Sequence, residues 1–151
     1  MTDSLVQVRP IGADDFQAVS ALLAELGRPA ISDETRVEAR QIYARHLARP
    51  NTASLLAEVG GTPVGFMSLE FRERLNQTTL QAWIPDLIVT ASARGKGVGR
   101  ALLERGFALA RERGCWAVTL ESGYARTVAH QFYRAAGMTD GGLYFALSLA
   151  P

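Results

Sequence analysis

The residues of this chain that could do chemistry begin with a glycine-rich turn that runs directly into a helical pattern. In the stretch "SARGKGVGRALL", residues 92–103, glycines occupy every second position from 95 to 99 and cations lie before, among and after them, namely Arg94, Gly95, Lys96, Gly97, Gly99 and Arg100. A helix start carries unpaired backbone N–H groups and a partial positive charge, and both attract anions. Glycine also lets the backbone approach a phosphate closely. The turn therefore predicts a phosphate-binding site.

Two common phosphate motifs can be compared with this spacing. The P-loop pattern needs a glycine where Thr90 stands and a Ser or Thr where Gly97 stands, so the P-loop interpretation fails. The dinucleotide pattern G-x-G-x-x-G needs a glycine in place of Arg100 or Leu102. Because Glu121 ends the following predicted strand and could bind a ribose, the dinucleotide interpretation is weakened rather than excluded.

What remains is the pattern Arg-x-x-Gly-x-Gly, followed by a second motif, "RTVAHQFYRAAGM", at residues 126–138. The first motif resembles the acetyl-coenzyme A (CoA) loop of the GCN5-related N-acetyltransferase (GNAT) family, Q/R-x-x-G-x-G/A. The second resembles the last-helix signature of that family, an A-x-x-F-Y run followed by a glycine and an apolar residue. The matching residues are Ala129, Phe132, Tyr133, Gly137 and Met138. The joint occurrence of both motifs is far more specific than either alone.

The resemblance implies an enzyme that uses acetyl-CoA as cosubstrate. The implied activity is N-acetyltransfer to a primary amine by direct attack in a ternary complex. A catalytically silent acyl-CoA-binding module that senses or regulates is the alternative. The residues implied to bind the cosubstrate are Leu87, Ile88 and Val89 for the pantetheine arm, and Arg94, Gly95, Lys96, Gly97, Val98, Gly99 and Arg100 for the diphosphate. Arg126 stands where many relatives have a cofactor-contacting asparagine, and could instead be an exposed helix-start arginine.

By the same resemblance, Tyr133 is the general acid that protonates the departing thiolate, although a core tyrosine is the alternative. Deprotonating a lysine-like amine at pH 7 costs about 4.6 kcal/mol, and a carboxylate can accept that proton. Asp86 is the first candidate for this base. Many relatives carry a glutamate where Pro85 stands here. Glu121 is the second candidate, and a solvated charge at a strand end is its alternative role.

The overall composition of the chain limits which partners, metals and locations are expected. Sixteen basic and fifteen acidic residues give a net charge of +1, which argues against nucleic-acid binding. No apolar run approaches the ~20 residues of a membrane span, and no signal-peptide pattern is present, so a cytoplasmic location is predicted. One cysteine and two distant histidines predict no metal site. The expected partner is a small-molecule or protein amine, and the homodimers common among relatives make a homodimer a further candidate.

These residues need a scaffold, and the hydrophobic pattern predicts one domain over residues 1–151. The predicted elements are strand "LVQVRPI", a helix capped by Asp14, a helix over 33–47 capped by Ser32, a hairpin at Gly60-Gly61, strand "LQAWIPDLIV" broken at Pro85, a helix over 97–113, strand "CWAVTLES", a helix around Ala129 to Ala136 and a final strand "GLYFALSL". The fold class is α+β (mixed α/β). The resemblance implies a GNAT-like fold, a mostly antiparallel mixed sheet with a splayed parallel strand pair and about four flanking helices.

Overall fold

A computed structural model describes residues 5–149. The helices are α1 (Phe16–Leu26), α2 (Arg36–Ala48), α3 (Val98–Glu112) and α4 (Thr127–Ala135). The strands are β1 (Val6–Pro10), β2 (Leu55–Val59), β3 (Thr62–Met67), β4 (Glu70–Arg72), β5 (Gln81–Trp83), β6 (Leu87–Val89) and β7 (Ala117–Thr119). The chain forms two compact units, the first ending at Thr119 and the second beginning at Leu120. All seven strands and the first three helices belong to the first unit.

The first unit contains two sheets. One is antiparallel, with the strand order β1-β2-β3-β6, and the other has the order β4-β5-β7, in which β5 and β7 run parallel. The hairpin between β2 and β3 is confirmed, since Gly60 and Gly61 adopt φ angles of 57° and 79° in its turn. Four helices with antiparallel and parallel pairing confirm the predicted α+β class.

The break predicted at Pro85 is confirmed, because β5 and β6 lie on either side of it and belong to different sheets. The parallel pairing of β5 with β7 extends to the N–H of Ile84, which donates to the carbonyl of Thr119 at 2.9 Å. Pro85 lacks an N–H group and cannot continue a ladder. The chain therefore changes partners here, and β6 pairs with β3 instead.

Helix α3 packs tightly on β3, and a glycine makes this possible. A Cβ atom on Gly65 would lie 3.0 Å from Cγ1 of Val98 and 3.1 Å from Cδ1 of Leu102. Both of these α3 side chains are fully buried. Because Val98 is the first residue of α3, this packing fixes the start of the helix directly after the glycine turn.

The predicted cap of α1 and the predicted start of α2 were wrong by one to a few residues. Asp15, rather than Asp14, precedes α1, and its carboxylate accepts the N–H of Gly12 at 2.7 Å. Helix α2 begins at Arg36 rather than near residue 33. The reason is that Ser32 and Thr35 bond to each other's backbone N–H groups, forming a local turn that delays the helix.

The last two predicted strands also differ. The pattern "CWAVTLES" yields only the three residues Ala117–Thr119, which form an edge strand of their sheet. The predicted final strand is wrong within the described residues, since 141–149 contain no strand and their side chains are exposed. Local β propensity does not suffice for a strand, because a strand needs a partner edge.

Candidate active site

Strand β6 offers one free backbone edge. The N–H of Ser68 donates to the carbonyl of Asp86 at 3.0 Å, and the N–H of Thr90 donates to β3 at 2.8 Å. Backbone groups of successive strand residues point to opposite sides. The even-numbered residues therefore face β3, and the N–H and C=O groups of Leu87 and Val89 face away from it.

No strand in the described part of the chain pairs with this second edge of β6. A side chain occupies one position on it, since Nε of Arg94 donates to the carbonyl of Val89 at 3.0 Å. An open strand edge can accept an extended amide-bearing chain in place of another strand.

The edge leads into the predicted phosphate turn. Gly95 and Gly97 adopt φ angles of 75° and 80°, a region that other residues avoid. The first helical hydrogen bond runs from the N–H of Ala101 to the carbonyl of Gly97 at 3.0 Å. The amides of residues 98–100 precede that bond and have no partner within the helix. The turn and helix start therefore have the geometry of an anion site.

The predicted cations lie at the surface of this turn. Nζ of Lys96 donates to the carbonyl of Ser92 at 3.1 Å, and Nε of Arg100 donates to Glu104 at 2.8 Å. Both contacts are exposed, so water screens them and each contributes little to stability. Each cation retains further N–H donors that could bind an anion.

Glu25, near the end of α1, anchors the segment that enters the turn. Its carboxylate accepts the N–H of Ala91 at 2.9 Å and the hydroxyl of Thr90 at 2.8 Å. These two hydrogen bonds lower the pKa of Glu25 from its ordinary value. Helix α1 and the glycine turn are thereby joined through one charged group.

Asp86 lies at the bend between β5 and β6, and its carboxylate is held from two sides. Nε of Arg28 donates to Oδ1 at 2.8 Å, and the hydroxyl of Ser68 donates to Oδ2 at 2.9 Å. Arg28 also donates to the carbonyl of Pro85 at 3.1 Å. The predicted base is therefore rigidly placed, and Arg28 would compete with a cationic acceptor for it.

A second polar pair lies near Asp86. Nε2 of His46 on α2 is 2.7 Å from Oγ of Ser54, and that oxygen accepts the N–H of Leu69. Burial lowers the pKa of His46, while the carboxylates of Glu70 and Asp86 act in the opposite direction. The imidazole is thus neutral at pH 7 and within electrostatic reach of the predicted base.

The other predicted site residues belong to the second unit. Tyr133 is half-buried on α4, and burial raises the pKa of its phenol, with the charge of Arg126 opposing. Arg126 directly precedes α4, as predicted. Glu121 follows β7 and is exposed. The phenol therefore stays protonated at neutral pH, as a general acid must.

Neither a metal cluster nor a spanning helix occurs within residues 5–149. No group of three or more metal-binding side chains is found there, and no helix in that range is long and apolar enough to cross a membrane. Cys115 is partly buried, and this burial raises the pKa of its thiol. A thiol of raised pKa is a poor nucleophile.

Sequence reasoning missed the partners of the site. Arg28 and Glu25 contact residues 58 and 65–66 positions further along the chain, and no local pattern indicates such contacts. Ser68, by contrast, could have been predicted as a partner of Asp86. Once the bend at Pro85 and the β3 register are assumed, Ser68 is the residue opposite Asp86.

Known acetyltransferases resemble this chain over most of its length. The Acetyltransferase (GNAT) family model matches residues 17–138. The aminoalkylphosphonate N-acetyltransferase of Salmonella typhimurium is 29% identical over 144 residues, 95% of this chain and 91% of that protein. The aminoglycoside N(6')-acetyltransferase type 1 of Klebsiella aerogenes is 27% identical, over 91% of this chain and 92% of that protein. The crystal structure of a Trypanosoma brucei acetyltransferase aligns with a TM-score of 0.81 at 25% identity, covering 96% of this chain and 100% of that one.

Proposed function

This chain belongs to the acetyltransferase (GNAT) family, and we propose that it transfers the acetyl group of acetyl-CoA to a primary amine of a small molecule. The observation that carries the proposal is the open edge of β6 leading into the turn at Gly95 and Gly97. This arrangement provides a strand-like partner for a thin amide chain and, directly after it, an anion site at a helix start.

The residues fit CoA as follows. Leu87 and Val89 bind the pantetheine amides through backbone groups that face away from β3, whereas the backbone groups of Ile88, also expected to bind the arm, face β3. The amides of residues 95–100, together with Arg94 and Lys96, bind the diphosphate, and Arg126 is a further candidate for a phosphate group. Bound acetyl-CoA supplies an activated thioester and a sulfur leaving group.

In this proposal one side chain accepts a proton and another donates one. Asp86 accepts the proton of the acceptor amine, directly or through water, from the position fixed by Arg28 and Ser68. Glu121 is the second candidate for that base. Tyr133 donates its phenolic proton to the departing sulfur, and its raised pKa keeps the phenol protonated until that step. Direct attack of the amine is favoured because the thiol of Cys115 lacks activation.

The relatives suggest which chemical class of amine accepts the acetyl group. An aminoalkylphosphonate and an aminoglycoside are both small molecules that carry amino groups. Asp86 and Glu70 near the bend are negative and suit a cationic amine, while Arg28 is exposed enough to contact an anionic substituent. We therefore propose a small-molecule acceptor rather than a protein.

The test is release of free thiol from acetyl-CoA in the presence of a panel of amines. The panel includes an aminoalkylphosphonate, an aminoglycoside, a polyamine and a lysine-containing peptide. Turnover on a small amine, with acetylated product confirmed by mass spectrometry, supports the proposal. Turnover on the peptide alone contradicts the acceptor class.

The silent acyl-CoA-binding module is the competing function. It shares the open edge and the glycine turn but needs no acid or base. Both carboxylate oxygens of Asp86 already accept hydrogen bonds, so Asp86 is less available as a base, and this observation favours the silent module. Tight CoA binding without turnover on any amine of the panel would decide for the module.

A further inference from the structure

A row of polar side chains crosses the antiparallel sheet beside its apolar core. Leu56, Phe66 and Ile88 lie opposite one another on β2, β3 and β6, on the face that packs against α1. Strand residues two positions apart share a face. The next row on this face lies two positions away along the chain and consists of Ser54, Ser68 and Asp86. Both serines are at most 6% exposed, so the row lies largely out of water.

A group from outside the sheet contacts each end of this row. At one end, Nε of Arg28 donates to Asp86 at 2.8 Å. At the other end, Nε2 of His46, on α2, is 2.7 Å from Oγ of Ser54. One end therefore carries a permanent positive charge, whereas the other carries an imidazole that can gain one.

The two ends are joined through consecutive residues of the chain after β3. The hydroxyl of Ser68 donates to Oδ2 of Asp86 at 2.9 Å and accepts the N–H of Asp86 at 2.8 Å. The N–H of the next residue, Leu69, donates to Oγ of Ser54 at 3.3 Å. The contact that His46 makes with Ser54 therefore acts on the same short segment that holds Asp86.

We propose that His46 is a positioning residue for the proposed base Asp86, that it acts through Ser54 and residues 68–69, and that protonation of its imidazole switches the base off. This role requires no contact between His46 and the acceptor or acetyl-CoA. The consequence for turnover rests on the proposed acetyl transfer, whereas the coupling between the two side chains does not.

Protonation changes both the hydrogen bond and the charge at this end of the row. A neutral imidazole can accept the Ser54 hydroxyl at Nε2, but an imidazolium only donates, so Ser54 must then act as the acceptor. The added positive charge attracts the carboxylate of Asp86, beside which Arg28 already lies. A second cation lowers the proton affinity of a carboxylate, and such a base removes the proton of the amine less readily.

The surroundings of His46 set the pH at which this change occurs. Burial, the largest effect, and the charge of Arg49, directly after α2, disfavour the protonated imidazole. Glu70 on β4 and Asp86 before β6 favour it, and the net result lowers the pKa of His46 below its ordinary 6.5. The imidazole is therefore neutral at pH 7, where the base is active, and gains its proton in mild acid.

An NMR titration of the histidine side chains tests the coupling without any assay of activity. We expect the pKa of His46 to lie below 6.5 and to fall by about a further 0.5 or more in Asp86→Asn, because that change removes an attracting charge. The pKa of His130, in the second unit, should be the same in both proteins. An unchanged pKa of His46 in Asp86→Asn would overturn the proposal.

The pH dependence of kcat/KM tests the consequence for turnover, with one amine that the chain acetylates and saturating acetyl-CoA. Below the pKa of His46, wild-type kcat/KM should fall about tenfold more per pH unit than that of His46→Gln, whose amide can bond Ser54 but does not titrate. At pH 7, His46→Lys, with its fixed positive charge, should be about tenfold or more below His46→Gln. His130→Gln, the control, should keep the wild-type profile.

The profiles can be compared because the titration of the amine itself is common to all variants. A wild-type profile without the extra loss, a His46→Gln profile that keeps it, or equal rates for His46→Lys and His46→Gln would each overturn the role of His46. Urea unfolding verifies that every variant is folded, and the wild-type titration and profile need no variant. Absence of acetyl transfer at every pH would contradict the proposed function instead, and the NMR titration would still decide whether His46 is coupled to Asp86.

Discussion

At the scale of single residues, the phenol of Tyr133 offers the sharpest test of the chemistry. Tyr133→Phe removes only the hydroxyl, so we expect turnover to fall by about 100-fold or more while CoA affinity stays nearly constant. Thiol release and CoA titration measure the two quantities separately. Tyr124→Phe, at an exposed position of the same unit, is the control. Full activity of Tyr133→Phe would make Tyr133 a packing residue.

Asp15 provides a residue-scale prediction for stability. Two guanidinium N–H groups of Arg9 donate to its carboxylate at 2.8 Å each, and this contact lowers the pKa of Asp15 below its ordinary 3.8. A lowered folded-state pKa stabilises the fold above about pH 3.8, and that stabilisation is lost as the pH falls through the folded-state pKa.

We therefore expect Asp15→Asn to reduce the free energy of unfolding at pH 7 by about 1–2 kcal/mol, a range that allows for the partial exposure of Arg9. Urea unfolding at pH 7 and at pH 3 measures the effect, which should shrink at the lower pH. Asp14→Asn, at the exposed neighbouring position, should change stability little. An equal loss in both variants would show that the Arg9 contact is not the cause.

At the scale of elements, the turn before α3 combines a backbone conformation with a binding role. Gly97 has a φ of 80°, and Gly61, in the β2–β3 hairpin, has a φ of 79°. Neither would place a Cβ within 4 Å of another atom. Alanine at either position should therefore carry a similar strain of about 1–2 kcal/mol.

The two glycines should differ in ligand binding. We expect Gly97→Ala to weaken CoA at least tenfold, because the phosphate must approach the backbone there, and Gly61→Ala to leave the affinity unchanged. Calorimetric titration with CoA, with thermal unfolding as the stability measure, separates strain from binding. Equal CoA affinities in the two variants would show that the turn does not bind the phosphate.

At the scale of the whole molecule, ligand linkage distinguishes the two cofactor classes that the sequence left open. CoA at 100 times its Kd should stabilise the chain by about 2.7 kcal/mol, which is roughly 5–10 °C in melting temperature for a chain of this size. NAD at the same concentration should give no shift. Protection by NAD but not CoA would reverse the assignment of the glycine turn.

Much of this chain could be predicted from sequence because the decisive features are local. A glycine pair fixes the β2–β3 hairpin, and Pro85 breaks a strand because it lacks an N–H. The alternating glycines of residues 95–99 mark a helix start that can receive an anion. Each of these follows from the conformational freedom or the missing donor of a residue within its own segment.

Only the tertiary structure decided what surrounds Asp86 and what becomes of the C-terminal segment. Arg28 reaches Asp86 across 58 positions, and residues 143–149 do not form their predicted strand within the described chain. Both depend on contacts between distant segments, where a charge needs a partner and a strand needs an edge. The sequence by itself determined which segments can bend, bind or pair. The tertiary structure determined which distant residues each of these segments contacts.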